Sequence, residues 1–234
     1  MRRVMAAVFV TWALGSAAAY AGDFELRLGG FFPKADSLLF QDDNELFMPY
    51  GRELGGAGVK KSDWASFTGG IEYSWRTAGN LEIGAHVDAS SRSLDTAYRK
   101  YKRPSTNGPI PQTLELSTVP MGLTARIVTG RKHARFQLYA GIGADLVFWE
   151  YKEYGSFIDF GNDDEIVDYD EFDSHGVSPA VHAVAGLRIG ITHDILLTAE
   201  GKYLKAVEQD MGEDFNNRID VSGASATIGV HVRF

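Results

Sequence analysis

The 234-residue chain has no cysteine, 26 glycines against 7 prolines, and a formal charge of −8. An acidic chain is a poor partner for nucleic acid. Without cysteine there is no disulfide scaffold, so backbone pairing and packing must hold one domain or a small pair.

The N-terminus reads as a targeting segment. Arg2 and Arg3 precede an apolar run from Val4 to Ala19, and Ala19-Tyr20-Ala21 is a small-x-small cleavage triplet. Residues 1–21 are expected to be a secretory signal peptide cut before Gly22, leaving 22–234 as the mature domain. The run is short for a membrane-spanning helix of about 20 residues. Loss of Arg2 and Arg3 takes the formal charge from −8 to −10. No later stretch is apolar enough for a transmembrane helix.

From Asp23 onward the pattern alternates with period two, the mark of strands with two unlike faces. Eight segments carry it. The first, DFELRLGGF, sets Phe24, Leu26 and Leu28 against Glu25 and Arg27. The second, WASFTGGIEYSW, sets Phe67, Gly69, Ile71, Tyr73 and Trp75 against Thr68, Gly70, Glu72 and Ser74. In the third, Leu81, Ile83, Ala85 and Val87 oppose Glu82, Gly84, His86 and Asp88. In the fourth, Val119, Met121, Leu123, Ala125 and Ile127 oppose Pro120, Gly122, Thr124 and Arg126. A phase slip between Leu116 and Val119, beside a proline that cannot donate to a ladder, predicts a bulge there.

The fifth and longest segment runs from Arg135 to Tyr151, with Phe136, Leu138, Ala140, Ile142, Ala144, Leu146 and Phe148 against Gln137, Tyr139, Gly141, Gly143 and Asp145. The sixth opposes Val181, Ala183, Ala185, Leu187 and Ile189 to His182, Gly186 and Arg188. The seventh opposes Leu197, Ala199, Gly201 and Tyr203 to Thr198, Glu200 and Lys202. The eighth, ATIGVHVRF, opposes Ala226, Ile228, Val230, Val232 and Phe234 to Thr227, Gly229, His231 and Arg233. Connections alternate long and short, which in an up-and-down meander puts the long loops at one end.

The apolar faces carry no charge. The opposite faces carry Glu25, Glu72, Glu82, Asp88, Asp145 and Glu200 against Arg27, Arg126, Arg135, Arg188, Lys202 and Arg233, six of each sign. A soluble sandwich would bury the apolar face, whereas a membrane barrel turns it to lipid. Four features favour lipid. The chain carries an export signal. The apolar face is rich in Ala and Gly, too small for a close-packed soluble core. Phe31, Trp64, Tyr73, Trp75, Phe148, Trp149, Tyr151, Tyr203 and Phe234 gather at strand ends like interfacial girdles. The charged face is balanced, as a narrow interior requires. In lipid no strand edge can stay unpaired, so the expected fold is all-β, an eight-stranded antiparallel up-and-down transmembrane β-barrel.

The signal peptide, the eight-strand meander and the terminal IGVHVRF resemble the small outer-membrane β-barrels of Gram-negative bacteria, the OmpA/OmpX/OmpW type. The resemblance spans the whole mature chain and is one of pattern. It implies a place in the bacterial outer membrane, among outer-membrane lipids and lipopolysaccharide. It further implies that Phe234, on the alternating last strand, is read by the barrel-assembly machinery. A monomer is expected.

An eight-stranded lumen is just wide enough to be filled by its own side chains. The inward charges and the histidines His86, His182 and His231 are therefore expected to form a lumen network rather than an open pore. His86 with Asp88 has the composition of a general base or a metal site. No serine completes a catalytic site, and we read the histidines as ordinary polar lumen residues: no catalytic, cofactor or metal residue is expected. The third long connection carries Asp159, Asp163, Asp164, Glu165, Asp168, Asp170, Glu171 and Asp173. It lacks EF-hand spacing, so divalent-cation binding is the lesser reading beside a solvated loop. The second carries Arg92, Arg99, Lys100, Lys102 and Arg103, suited to the acidic loop or to lipid phosphates. The expected role is structural or recognition-based, through four long outer loops. A narrow path for small or apolar solutes is the alternative, and a lipid-modifying enzyme is a more distant third.

Overall fold

Each alternating segment becomes a strand of one closed sheet. The computed structural model describes residues 22–33, 44–53, 55–77, 79–103, 105–131, 133–159, 165–212, 215 and 217–234. The expected signal peptide lies outside them. The strands are β1 (Asp23–Pro33), β2 (Phe47–Pro49), β3 (Ser66–Arg76), β4 (Leu81–Tyr98), β5 (Pro111–Val128), β6 (Phe136–Asp159), β7 (Glu165–Gly190), β8 (Ile195–Ala206), β9 (Gln209–Asp210), β10 (Arg218–Ile219) and β11 (Gly223–Arg233). Eight of them, β1, β3, β4, β5, β6, β7, β8 and β11, pair antiparallel in sequence order. The seam closes where β1 meets β11, from Asp23 opposite Arg233 to Pro33 opposite Gly223. Closure leaves no barrel strand with an unpaired edge, as a sheet in hydrocarbon must.

The barrel is inside out relative to a soluble protein. Leu26, Leu28, Leu123, Ile142, Val181, Ile189, Leu197 and Ile228 all point outward, with Ile142 at 70% and Ile228 at 72% exposure. Arg126 and Arg188, at 1% each, are buried inside. Water would penalise such a continuous exposed apolar band; hydrocarbon does not. Among the described residues no helix is long and apolar enough to cross a membrane, and the crossing is made by strands.

The start of β1, the end of β11 and the short turns after β3, β5 and β7 share one end of the barrel, and the long connections leave from the other. The strands are not uniformly short. A membrane crossing needs about 9–11 residues, yet β4 and β5 have 18 each, β6 has 24 and β7 has 26. Much of the expected second and third loops is therefore sheet that continues past the membrane. Above the bilayer the solvent outside becomes water, so the apolar side chains move inward. Leu94, Tyr98, Leu114, Leu116, Val147, Trp149, Tyr151 and Leu204 form a buried plug with Phe47, Val59, Trp64 and Ile219 from the long connections.

Two expectations are corrected. The phase slip near Pro120 is not a bulge: Val87 opposite Met121 and Ser90 opposite Thr118 keep one register. Instead the β4–β5 ladder lapses at Asp88 and Ala89, across from Val119 and the proline that has no N–H to give. Leu114 and Leu116 look out of phase because they belong to the plug. The bulge that does occur lies at Gly155/Phe157, where Gly155 adopts φ 140°. Finally, Trp64, Trp149 and Tyr151 are not girdle residues. They are buried in the plug, with the Trp64 and Tyr151 rings 6.1 Å apart, whereas Trp75, Phe148, Tyr203 and Phe234 are exposed.

Candidate functional site

The inward faces build a two-storey interior. Nearer the termini lies a cluster of charged side chains, and Arg27 from β1 is one hub. It donates to Asp88 through Nε and Nη2 at 2.8 and 2.9 Å, and through Nη1 to Glu72 at 3.2 Å and Glu200 at 3.1 Å. Arg188 from β7 is the second hub. Its two terminal nitrogens donate to both Glu82 oxygens at 3.1 and 2.9 Å, and Glu25 lies 3.8 Å away. Arg126 from β5 contacts Glu72 closely and reaches Glu82 at 3.2 Å. The Tyr139 ring sits between these two cations, 5.2 Å from Arg126 and 4.8 Å from Arg188, and its hydroxyl donates to Glu200 at 2.8 Å. Such stacking favours a cation that has lost its water.

Further members close the cluster. Lys202 lies 3.1 Å from Asp88 and 2.8 Å from His86 Nε2. His231 bridges Glu25 at 3.1 Å and Asp23 at 3.3 Å. Thr198 donates to Glu25, and Arg233 donates to Gln137 at 3.0 Å. His182 and His86 both face Asp145, at 2.5 and 2.8 Å. The structure thus places Glu25, Arg27, Glu72, Glu82, His86, Asp88, Arg126, Asp145, His182, Arg188, Glu200, Lys202, His231 and Arg233 in one connected interior.

Two details depart from expectation. Arg135 lies in the exposed turn before β6, while Asp23, at the start of β1, is buried beside His231. The balance of six and six therefore fails. Among the described residues the barrel buries the carboxylates Asp23, Glu25, Glu72, Glu82, Asp88, Asp145 and Glu200 against Arg27, Arg126, Arg188, Lys202 and Arg233. Sequence reasoning also missed Gln137, Tyr139, Thr124 and Thr198 as working members. They lay on the polar face, but neutral side chains give no charge signal.

Inward glycines make the space. A methyl added at Gly84 would collide with Arg126 and Glu72, and one at Gly70 with Asp88. The Gly of the polar face is thus the complement of a neighbouring long ionised side chain.

The upper storey is largely apolar, with polar pairs set into it such as Trp149 donating to Ser178 at 3.1 Å. Tyr151, fully buried, donates to Glu153 at 2.6 Å. Burial raises the Tyr151 hydroxyl and also raises the Glu153 carboxyl, the latter only partly opposed by the bond from Tyr151. Its folded pKa stands above the unfolded value, so the stabilisation is complete below about pH 4.3 and fades as pH rises through the folded value. Denaturant titrations followed by tryptophan fluorescence at several pH values should show this component in the native chain and lose it in Glu153→Gln. Identical pH profiles for the two proteins would contradict it. Over β8, burial would raise Asp220, but Lys205 at 2.7 Å and the donors of Ser222 outweigh it and hold the carboxyl low.

Described parts of the outer connections are tied to one another. Arg92 donates to the Asp63 carbonyl at 2.8 Å, Arg99 to the Gly56 carbonyl at 2.7 Å, and Arg103 to Ser156 Oγ at 3.0 Å. Much of the basic set thus ties the connections together, while Lys100 and Lys102 are exposed. Of the acidic set, Asp163 and Asp164 lie outside the described residues, as do the side chains of Asp159, Glu165 and Asp168. Asp170, Glu171 and Asp173 stand on β7, not on a loop, and alternation sends neighbours to opposite faces.

No protein-family model matches the chain, and no curated protein does. Among solved structures it is similar to Neisserial surface protein A, with TM-score 0.46, 15% identity, and 91% of this chain and 96% of that one covered. It is similar to outer membrane protein OprG from Pseudomonas aeruginosa, with TM-score 0.48, 15% identity, and 92% and 96% covered. It is similar to the E. coli outer membrane protein W, with TM-score 0.37, 19% identity, and 92% and 98% covered. The chain itself is an eight-stranded antiparallel transmembrane β-barrel, and its own ladders and exposed apolar band establish this.

Proposed function

We propose that the protein is an occluded barrel of the bacterial outer membrane that works through its outward surface, as a structural or recognition protein. The observation that carries this reading is the filled interior. A gap lined by Arg27, Asp88, Ser90, Thr118 and Lys202, between the charged storey and the plug, has a volume of only about 30 Å³. Below it the arginines are clamped by carboxylates on several strands, and above it lies the apolar plug. Ions crossing this path would have to break buried ion pairs, each costly to separate.

Its partners on this reading are lipopolysaccharide and other outer-membrane lipids around the barrel. The seam strand β11, with Phe234 just after it, serves the barrel-assembly machinery. The test is conductance. The purified full chain in a planar bilayer should give no steady single-channel current, and a loop-exchanged variant should lose surface adhesion while keeping heat-modifiable gel mobility. Regular conductance steps would replace this reading by the narrow solute path.

A further inference from the structure

Four consecutive strands, β4 to β7, bring His86, Thr124, Asp145 and His182 together deep in the lumen. The sequence offers Asp88 as the partner of His86, yet Asp88 is clamped by Arg27 and lies 4.0 Å from the imidazole. Asp145 takes its place. One of its oxygens lies 2.8 Å from His86 Nε2, the other 2.5 Å from His182 Nδ1, and the three ligand atoms lie within 4.8 Å of one another. We propose that His86, Asp145 and His182 form a buried site for one divalent metal ion of the zinc class.

Three observations carry it. The first is a confrontation of lone pairs. Lys202 lies 2.8 Å from His86 Nε2, and an ammonium can only donate, so this nitrogen presents its lone pair. Asp145 Oδ1, buried and without a hydrogen-bond donor, lies against the same nitrogen. Two acceptors aimed at shared space, with a cation as their neighbour, are what a metal ion satisfies. The second is orientation. Thr124 Oγ1 stands 3.0 Å from His182 Nε2 and 3.4 Å from His86 Nδ1, so one hydroxyl holds the far nitrogen of both rings, the outer contact that ligating histidines use. The third is charge and room. In the charged storey seven carboxylates exceed five arginine and lysine side chains. A methyl at Gly122 would collide with Asp145, and one at Gly143 with the His182 ring.

Two imidazoles and one carboxylate suit zinc, nickel or copper better than calcium or magnesium. Tetrahedral ligands about 2.1 Å from a zinc ion stand roughly 3.4 Å apart, so small side-chain shifts complete the set. Lys202 gives up its place at Nε2 and keeps Asp88, already 3.1 Å away. His182 binds the ion through Nδ1 with its ring proton on Nε2, where Thr124 Oγ1 stands 3.0 Å away to accept it.

The test uses the full chain, folded in detergent, in a background with the exposed histidines His133, His175 and His193 changed to asparagine to remove surface binding. Equilibrium dialysis against Zn²⁺ should find one ion per barrel. Asp145→Asn and His182→Gln, each shown to be folded by heat-modifiable mobility, should bind at least about 10- to 100-fold more weakly, the cost of losing even an outer-shell partner. Lys202→Met, which removes the competing cation, should bind more tightly, and this arm decides the matter if either ligand variant misfolds. Co²⁺ should give the visible absorption of a tetrahedral site. No bound zinc in the background protein, unchanged affinity in a folded His182→Gln, or weaker binding in a folded Lys202→Met would each overturn the site.

Discussion

Replacing Arg188 with leucine is expected to destabilise the folded barrel by about 3–5 kcal/mol, the cost of leaving a buried charge without its partner. Arg188 holds both Glu82 oxygens, lies against Glu25 and stacks on Tyr139. Its loss leaves Glu82 to Arg126 alone and Glu25 to His231 and Thr198, under-compensated where water cannot reach. The effect belongs to the unpaired charge rather than to the pair, so Arg188→Leu combined with Glu82→Leu should recover much of it. Urea titrations of the four proteins in detergent micelles or bilayers complete the double-mutant cycle. If the single and double variants were equally destabilised, the network would be ordinary packing and not an electrostatic lock.

Ile142→Arg is expected to cost about 2–4 kcal/mol if the side chain lies near the bilayer midplane. Ile142 points outward from the middle of the membrane part of β6 and is among the most exposed apolar residues. In water an exposed isoleucine changed to arginine would be nearly neutral. The same substitution therefore separates hydrocarbon from water outside the barrel. A paired measurement at Tyr169, exposed on the distal part of β7, should show little change for Tyr169→Arg. Equal tolerance at both positions would remove the membrane from around Ile142.

How much of this could be read from the chain follows from distance along it. Period-two alternation in segments such as ILLTAEGKYL specifies a strand and its two faces through neighbours two residues apart. The even count of such segments, with long and short connections alternating, specifies the meander. The inversion at Leu114, Leu116, Trp149 and Tyr151 was not readable in the same way. These residues keep their inward phase while the solvent outside changes from lipid to water, and a residue's polarity reports the contrast between the two sides, not the side itself. The strand continuations past the membrane looked like loops for that reason, and Pro120 looked like a bulge.

The sequence by itself determined the number of barrel strands, their order, and, Arg135 and Asp23 aside, the charged side chains that turn away from lipid, because these are consequences of local alternation. Only the tertiary structure decided who meets whom. Arg27 finds Glu200 across 173 residues and Arg188 finds Glu82 across 106. Asp145, not the adjacent Asp88, stands between His86 and His182. Those pairings depend on the stagger with which eight strands close into a cylinder, a property of the whole sheet that no single strand encodes.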